Sequence, residues 1–505
     1  MNGNAAAPLV RRLSALMAIA LFGVNLYRAA HQSITTDEAY TYALYIGSPI
    51  TGLFTKYEAN HHVLHTFLCR LAVGLFGLSE FTLRMPSLAG GLLYLVAARR
   101  LCVSVFSKPW LAVLGMSVLT LNPFILDYLS VARGYGLALG FFFAGLALLC
   151  SPDEPAAVNR AQSWGGLCLG LSIASNLSFL VPCVALGAVV TAFGLRSGGT
   201  PGAGRRLVQA LKRLWTPLLA PLLLLVAVPL SHAHKDNFRY GADSLRETAV
   251  SVVQRSFFHQ YDVWRGETIP AGARRAWEAM ADWALPGVLA ITLAAAVFGG
   301  LRLIRTMGSD PPPGAADRFL PFAGATIGLS LGALVLAHRL AGVLYPIDRT
   351  AIYLVALVSV AFVSVIDRIQ LGVPGRIVFI PLLSAVAVVS LIAFARGFTT
   401  EYYYEWRFDA GTKRVFALMA QRQQRHSGPP VRVGADWRLV LSLDFYRRMH
   451  DAGWMAPFDD RPTEDGGFEY YVFVRENQGI MAQSGLHVIY RDPVSGQALA
   501  AGEGR

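Results

Sequence analysis

Residues 1–396 alternate apolar runs with short polar breaks, and residues 397–505 do not. A helix that crosses a bilayer needs about 20 mainly apolar residues. The pattern predicts such helices over 13–31, 85–101, 110–128, 134–150, 163–176, 178–195, 215–231, 284–303, 319–338, 351–367 and 376–396. The pair 163–176 and 178–195 bends near Asn176 and Pro182. The linker 196–214, with Gly198-Gly199-Thr200-Pro201-Gly202, and the run Pro311-Pro312-Pro313-Gly314 read as flexible connecting loops.

A further apolar stretch, 61–80, carries His61, His62, His65 and Arg70. Basic residues decide its status, because cytoplasmic loops carry an excess of Lys and Arg. Arg11 and Arg12 place the N-terminus in the cytoplasm and Asp37 outside. If 61–80 crossed the membrane, Arg99, Arg100, Arg160, Arg196, Arg205, Arg206, Lys212 and Arg213 would all lie outside. If it lies along the outer surface as an amphipathic helix, these residues become cytoplasmic, together with Lys108, Arg302, Arg305, Arg368 and Arg376. The second arrangement is expected. No small-residue cleavage site precedes His31, so the first span reads as uncleaved. The outer side then holds loops 32–84, 128–134, 232–283 and 339–350, and the tail.

The tail has globular patterning. It predicts helices over Asp409–Gln421 and Leu439–His450, and strands at Val431–Val433, Phe468–Val474 and Leu486–Tyr490. The expected fold is an α-helical polytopic membrane protein of about eleven spans over 1–396, with a small α/β extracytoplasmic domain over 397–505. The expected location is the inner (plasma) membrane.

Composition agrees with that class. The chain is 54% hydrophobic and 15% charged, against about 25% charged for a soluble domain. The net charge of +12 does not signal nucleic acid, since the basic residues gather at the ends of apolar runs. Five cysteines (Cys69, Cys102, Cys150, Cys168, Cys183) lack CxxC spacing, which indicates neither a disulfide framework nor a thiolate metal site.

The candidate chemistry begins at Thr35-Thr36-Asp37-Glu38-Ala39-Tyr40, at the mouth of the first span. Ionisable groups at such a place are costly and usually functional. On the same side stand Glu58, Asn60, His61, His62 and His65, then Arg84, then Asp127, Tyr128, Arg133-Gly134-Tyr135, and late in the chain His338, Arg339, Tyr345, Asp348 and Arg349. Carboxylates among arginines at headgroup level suit a phosphate-bearing lipid and general-base chemistry. Plainer readings stand beside this one. Asp37-Glu38 or Thr36 can cap a helix over Ala39–Tyr45. Arg84 and Arg133 can be snorkelling side chains. His61-His62-x-x-His65 has metal-compatible spacing, though most such clusters bind no metal. Gly90-Gly91 reads as helix packing. Tyr402-Tyr403-Tyr404 with Trp406 reads as an interfacial aromatic belt. A lipid-linked-saccharide flippase would put charges and broken helices at mid-membrane, and the mid-span regions here are nearly free of charge.

Asp37-Glu38-Ala39, Glu58-Ala59-Asn60-His61-His62 and Leu75-Phe76-Gly77-Leu78-Ser79-Glu80-Phe81-Thr82-Leu83-Arg84-Met85-Pro86-Ser87 together resemble the C-type glycosyltransferases that use polyprenyl-phosphate sugars. These are related to the protein O-mannosyltransferases and the lipid A aminoarabinose transferase. Ala97-Ala98-Arg99-Arg100-Leu101, Ala132-Arg133-Gly134-Tyr135 and Asp348-Arg349 before a span resemble that group too. Residues 10–150 carry most of the likeness. The chain departs at His61-His62-Val63, where many relatives have His-Pro-Pro, and at Arg349-Thr350-Ala351, where they have Tyr after Arg.

The resemblance implies an inverting sugar transfer from a polyprenyl-phosphate donor to a hydroxyl of a lipid, polysaccharide or protein. Asp37 would be the general base, with Glu38 beside it. Arg84, Arg133 and Arg349 would hold the phosphate, and Glu58, His61, His62 and Tyr345 would line the donor site. Lys235, Arg239, Arg255 and His259 would close over the donor. A divalent cation, if used, would fall to Glu58 and His62. A transporter and an oligosaccharide ligase or polymerase with a lipid-diphosphate donor are the alternatives.

Overall fold

A computed structural model describes residues 3–150, 155–196, 202–257, 271–307, 314–368, 387–423, 428–458, 467–477, 479 and 486–501. Among the described residues seven helices are long and apolar enough to cross a membrane: Pro8–His31, Glu80–Val105, Leu177–Arg196, Ala203–Ser231, Leu289–Thr306, Asp317–Ala341 and Asp348–Arg368. Shorter apolar helices cover Val63–Phe76, Pro109–Thr120, Gly134–Cys150 and Ala387–Gly397. The chain is a polytopic helical membrane protein.

Several boundaries differ from the sequence expectation, each for a local reason. The stretch 61–80 ends at Gly77, whose φ of +81 suits only glycine cheaply. Ser79 then caps the next helix by accepting from Thr82 N at 3.1 Å, so that helix starts at Glu80 rather than 85. The expected span 110–128 is two helices, Pro109–Thr120 and Pro123–Tyr128. Asn122 caps the second, and Pro123 fits its first turn, where no amide donor is needed. The linker 196–214 is largely helical, since Ala203–Ala210 runs directly into the next helix. Part of the span 376–396 lies outside the described residues.

The helix Val63–Phe76 is too short to span. Its outward residues Phe67, Leu71, Leu75 and Phe76 are apolar and exposed, while His65, Thr66 and Cys69 are buried. The polar side of this helix therefore faces protein. Close packing fixes the neighbouring helices. A Cβ on Gly90 would stand 2.4 Å from Leu137 Cα, and one on Gly140 would stand 2.4 Å from Gly90 O. The Gly90-Gly91 packing reading is thus correct for this chain.

The helix α1 (Gly3–His31) leads within a few residues into the short helix α2 (Thr36–Thr41). Thr35, not Thr36, caps α2: Glu38 N donates to Thr35 Oγ1 at 3.3 Å and Thr35 N to Glu38 Oε2 at 2.9 Å. After residue 397 a four-stranded sheet forms in the order β1-β2-β4-β3, from β1 (Val433–Ala435), β2 (Tyr470–Phe473), β3 (His487–Arg491) and β4 (Ala498–Ala501). Only β1 and β2 are parallel. The helices Thr412–Gln423 and Trp437–Met449 accompany the sheet. This region does not stand apart. Ile34, Ala39 and Ile46 share one apolar cluster with Phe416, Leu443 and Tyr446. Tyr403 and Trp406 are buried at 1% and 5% exposure in the main helical core. That position overturns the aromatic-belt expectation, because the phenol and indole rings fill the joint between the helices and the tail rather than facing lipid.

Candidate active site

The site forms where α2, the turn 128–134 and the segment after Ile347 meet. Asp37 is in the first turn of α2. Its carboxylate is 21% exposed and accepts an ion pair from Arg133 Nη1 at 2.9 Å. Arg133 is itself 1% exposed, so the pair joins a buried cation to a carboxylate that solvent can reach. Arg133 Nη2 donates to Asn60 Oδ1 at 2.9 Å, while Nε has no hydrogen-bond acceptor among the described residues and Nη1 meets Asp37 by charge and distance rather than by an aligned hydrogen bond. The buried guanidinium thus stands between the Asp37 carboxylate and the Asn60 amide.

Glu38, one residue on, is fully buried and points the other way. Arg84 Nε donates to its Oε1 at 2.8 Å and Nη2 to its Oε2 at 2.7 Å, a two-point pair. Ala132 N adds a bond to Oε1 at 2.6 Å. Arg84 spends its other donors on the carbonyls of Ala29, Gln32 and Ser33. Arg84 and Arg133 are therefore not snorkelling. Glu38 and Arg84 have no free group to offer a ligand, so the geometry makes them the anchor of α2. Consecutive helical residues point about 100° apart, so Asp37 and Glu38 meet different arginines, while Glu38 lies three residues on from Thr35 and closes the capping box.

Arg349 stands at 22% exposure and gives Nη1 to Glu405 Oε2 at 3.0 Å. Its guanidinium lies 4.6 Å from the Tyr240 ring centroid. Tyr128 donates its hydroxyl to the same Glu405 oxygen at 2.9 Å. Tyr128 packs on Tyr135 at 4.9 Å, and Tyr135 on His62 at 5.2 Å. A continuous aromatic and polar wall thus runs from the Arg133 side to Arg349. The neighbouring Asp348 takes the left-handed φ of +47 that aspartate tolerates. Arg255 Nε at 2.9 Å and the Tyr240 hydroxyl at 2.8 Å hold its carboxylate.

The histidines are buried. His61 stacks on Tyr45 at 4.0 Å, and burial pushes its imidazole down to about 4, with a bond to the Lys56 backbone pulling the other way. Burial and then the nearby Arg133 hold His62 well below the ordinary histidine range, with His65, His61 and Arg349 adding to this. His65 bonds Ser87 Oγ at 2.8 Å. Neutral imidazoles here are packing and polar lining. Glu58 is exposed and takes Asn237 Nδ2 at 3.0 Å. Among the described residues no group of three or more His, Cys, Asp or Glu side chains could hold a metal ion. The Glu58–His62 expectation finds no third ligand there.

Tyr345 lies apart from this cluster in its role. Its backbone pairs with Ala242 in both directions at 2.8 Å, and its ring stacks on His338 at 4.5 Å. It ties the 232–257 segment to the turn 342–347. Of the residues expected to close over the donor, Arg255 joins the wall, while Arg239 forms an exposed pair with Asp236. His259 and the Lys235 side chain fall outside the described residues. Sequence reasoning missed Glu405 and Asp409. Glu405 lies between the aromatic residues read as a belt, Asp409 was read only as the start of a helix, and the sequence signal of each was an acidic side chain beside that aromatic run. Asp409 is fully buried and accepts from Thr36 N at 2.7 Å.

The arrangement offers a reachable carboxylate fixed by a buried cation, and a second, half-reachable cation beyond an aromatic wall. It can hold an anion at one end and a proton acceptor at the other.

No protein-family model and no curated protein matches this chain. Among solved structures, it is similar to ArnT from Cupriavidus metallidurans bound to undecaprenyl phosphate, at 16% identity over 97% of each chain with a TM-score of 0.45. It is also similar to the Archaeoglobus fulgidus oligosaccharyltransferase in complex with zinc and sulfate, at 12% identity over 98% of this chain and 73% of that one, with a TM-score of 0.49. The archaeal oligosaccharyltransferase AglB from Archaeoglobus fulgidus, in complex with an inhibitory peptide and a dolichol phosphate, is a third, at 12% identity over 98% and 74% with a TM-score of 0.43.

Proposed function

We propose that the protein is an inverting glycosyltransferase that moves a sugar from a polyprenyl-phosphate donor to an acceptor hydroxyl. The observation that carries this reading is the Asp37–Arg133 pair, a reachable carboxylate held at 2.9 Å by a buried guanidinium. Asp37 accepts the proton of the acceptor hydroxyl as its oxygen attacks C1 of the sugar. The bond from C1 to the phosphate oxygen breaks on the opposite face, which inverts the anomeric centre. The leaving polyprenyl phosphate needs no strong acid if a cation receives its charge.

Arg349 is the cation best suited to that role, being partly exposed with one bond to Glu405. Arg133 positions Asp37, and the Arg84–Glu38 pair holds α2. The wall of His62, Tyr135 and Tyr128 lines the path between them. In this reading the site opens outside the inner membrane, the bundle has about eleven spans over 1–396, and residues 397–505 form the extracytoplasmic part. The basic clusters at the opposite ends of the helices support that orientation.

The reading is tested in cells that lack the protein. A polyprenyl-phosphate-linked sugar should accumulate in their lipid extract and fall when the gene is restored. An unchanged lipid-linked sugar pool would count against a donor of this type.

A further inference from the structure

Thr36, the residue before Asp37, meets more acceptors than it has protons. Its Oγ1 contacts the carbonyl oxygen of Arg438 and lies 2.9 Å from Asp409 Oδ2. A threonine hydroxyl carries one proton, and a carbonyl can only accept. With that proton on the Arg438 carbonyl, the second contact needs a proton from Asp409. A carboxylic acid oxygen that donates can still accept, and Asp409 Oδ2 also takes Thr36 N–H at 2.7 Å. On the other oxygen, Ser442 Oγ donates to Oδ1 at 2.8 Å and Thr412 Oγ1 at 3.5 Å.

The charged groups around Asp409 are occupied elsewhere. On the helix Trp437–Met449, the Arg438 guanidinium pairs with Asp436 at 3.1 Å and Glu476 at 3.5 Å. On Thr412–Gln423, Lys413 pairs with Glu80 at 2.8 Å. Arg407 Nε donates to Val494 O at 2.9 Å. Asp492 Oδ1 is taken by Ser495 N at 2.7 Å and Val494 N at 3.1 Å. On α2, Glu38 belongs to Arg84, and Asp37 faces Asp409 with its own negative charge. Among the described residues Asp409 has no cation partner, and burying an unpaired charge is costly.

We infer that Asp409 is a positioning residue for the transfer reaction, a neutral carboxylic acid that latches the start of α2 to the C-terminal region and so aims Asp37. The latch is a chain in which Asp409 O–H donates to Thr36 Oγ1, and Thr36 O–H donates to the Arg438 carbonyl. Burial pushes the Asp409 carboxyl up to about 7, with Ser442 and Thr36 hydrogen bonds drawing it back and the Asp37 charge adding to the rise. Ionisation removes the proton and turns one contact into two facing acceptors. This inference rests on Asp37 being the base.

The test uses full-length protein in nanodiscs and a panel of polyprenyl-phosphate-linked hexoses and pentoses. The readouts are the pH profile of kcat and the infrared C=O band of a buried protonated carboxyl. Wild type should lose rate as pH rises through about 7, and the band should fade over the same range. Asp409→Asn should lack both the band and the alkaline limb, with kcat lower by about tenfold at pH 6 and donor KM little changed, as for a misaimed group. Thr36→Val should lose rate similarly and Thr36→Ser should retain it, which keeps the test valid if Asp409→Asn folds poorly. An alkaline limb that survives in Asp409→Asn, a band that does not titrate, or Thr36→Val within twofold of wild type would overturn the latch. Near-normal transfer by Asp37→Asn would instead overturn the base assignment, whatever the Asp409 variants do.

Discussion

Three arginines were candidates for the phosphate, and burial separates them. Arg84 is fully enclosed with its donors used, Arg133 is enclosed and engaged with Asp37 and Asn60, and Arg349 is 22% exposed with one ion pair. Residue type was legible in the sequence, but the direction of each guanidinium was not, because it depends on which carbonyls and carboxylates the fold brings near. Arg349→Ala should therefore weaken binding of a polyprenyl phosphate by roughly 10- to 100-fold, the range for loss of a charge-assisted bond. Arg349→Lys should recover only part, since an ammonium lacks the flat two-point fork. The measurement is a titration of nanodisc-held protein with polyprenyl phosphate, with Glu405→Gln added so that no unpaired carboxylate is left behind. Equal affinities would remove Arg349 from the phosphate site.

At the scale of elements, the short helix α2 is the part on which the site depends. A six-residue helix has little intrinsic stability, and α2 is held from three sides. The Thr35–Glu38 capping box closes its start, Arg84 grips Glu38, and Asp409 with Arg438 takes Thr36. Glu38→Ala should cost about 3–5 kcal/mol, because it strands a buried guanidinium. It should appear as a lower Tm and a loss of activity that cooling partly restores. A variant as stable as wild type would show that α2 does not need this anchor.

The acidic pair, a separate helix within 61–80 and the helices at 134–150, 437–449 and 412–423 were readable from apolar runs and caps. The break at Leu121 was signalled by Asn122-Pro123 but hidden by the apolar run around it. Strand β4 was missed because Ala498-Leu499-Ala500-Ala501 has no β-branched residue. Glu405 and Asp409 escaped because their partners lie hundreds of positions away in the chain.

For the whole molecule, buried titratable groups tie stability to pH. His61 is held at about 4 by burial, below its ordinary value of 6.5. A depressed histidine contributes stability that is present above 6.5 and lost as pH falls through about 4. The contribution is on the order of 3 kcal/mol at neutral pH. Asp409 runs the other way: its raised value gives stability present below 3.8 and lost as pH rises through about 7. Thermal melts from pH 7 to 4.5 should show a smaller acid loss in His61→Phe than in wild type. Parallel curves would mean that His61 does not carry this dependence.

The joint between the helices and residues 397–505 brings the tail to the candidate site, since Glu405 pairs with Arg349 and Asp409 with Thr36. Of these contacts, the Asp409–Thr36 bond lies next to Asp37 in the chain. The most direct measurement of the account is the rate of sugar transfer from a polyprenyl-phosphate donor by purified Asp37→Asn at matched folded amounts. The account predicts a loss of about 100-fold or more in kcat, the scale of a general base, with binding of polyprenyl phosphate retained. A rate within a few-fold of wild type would contradict it.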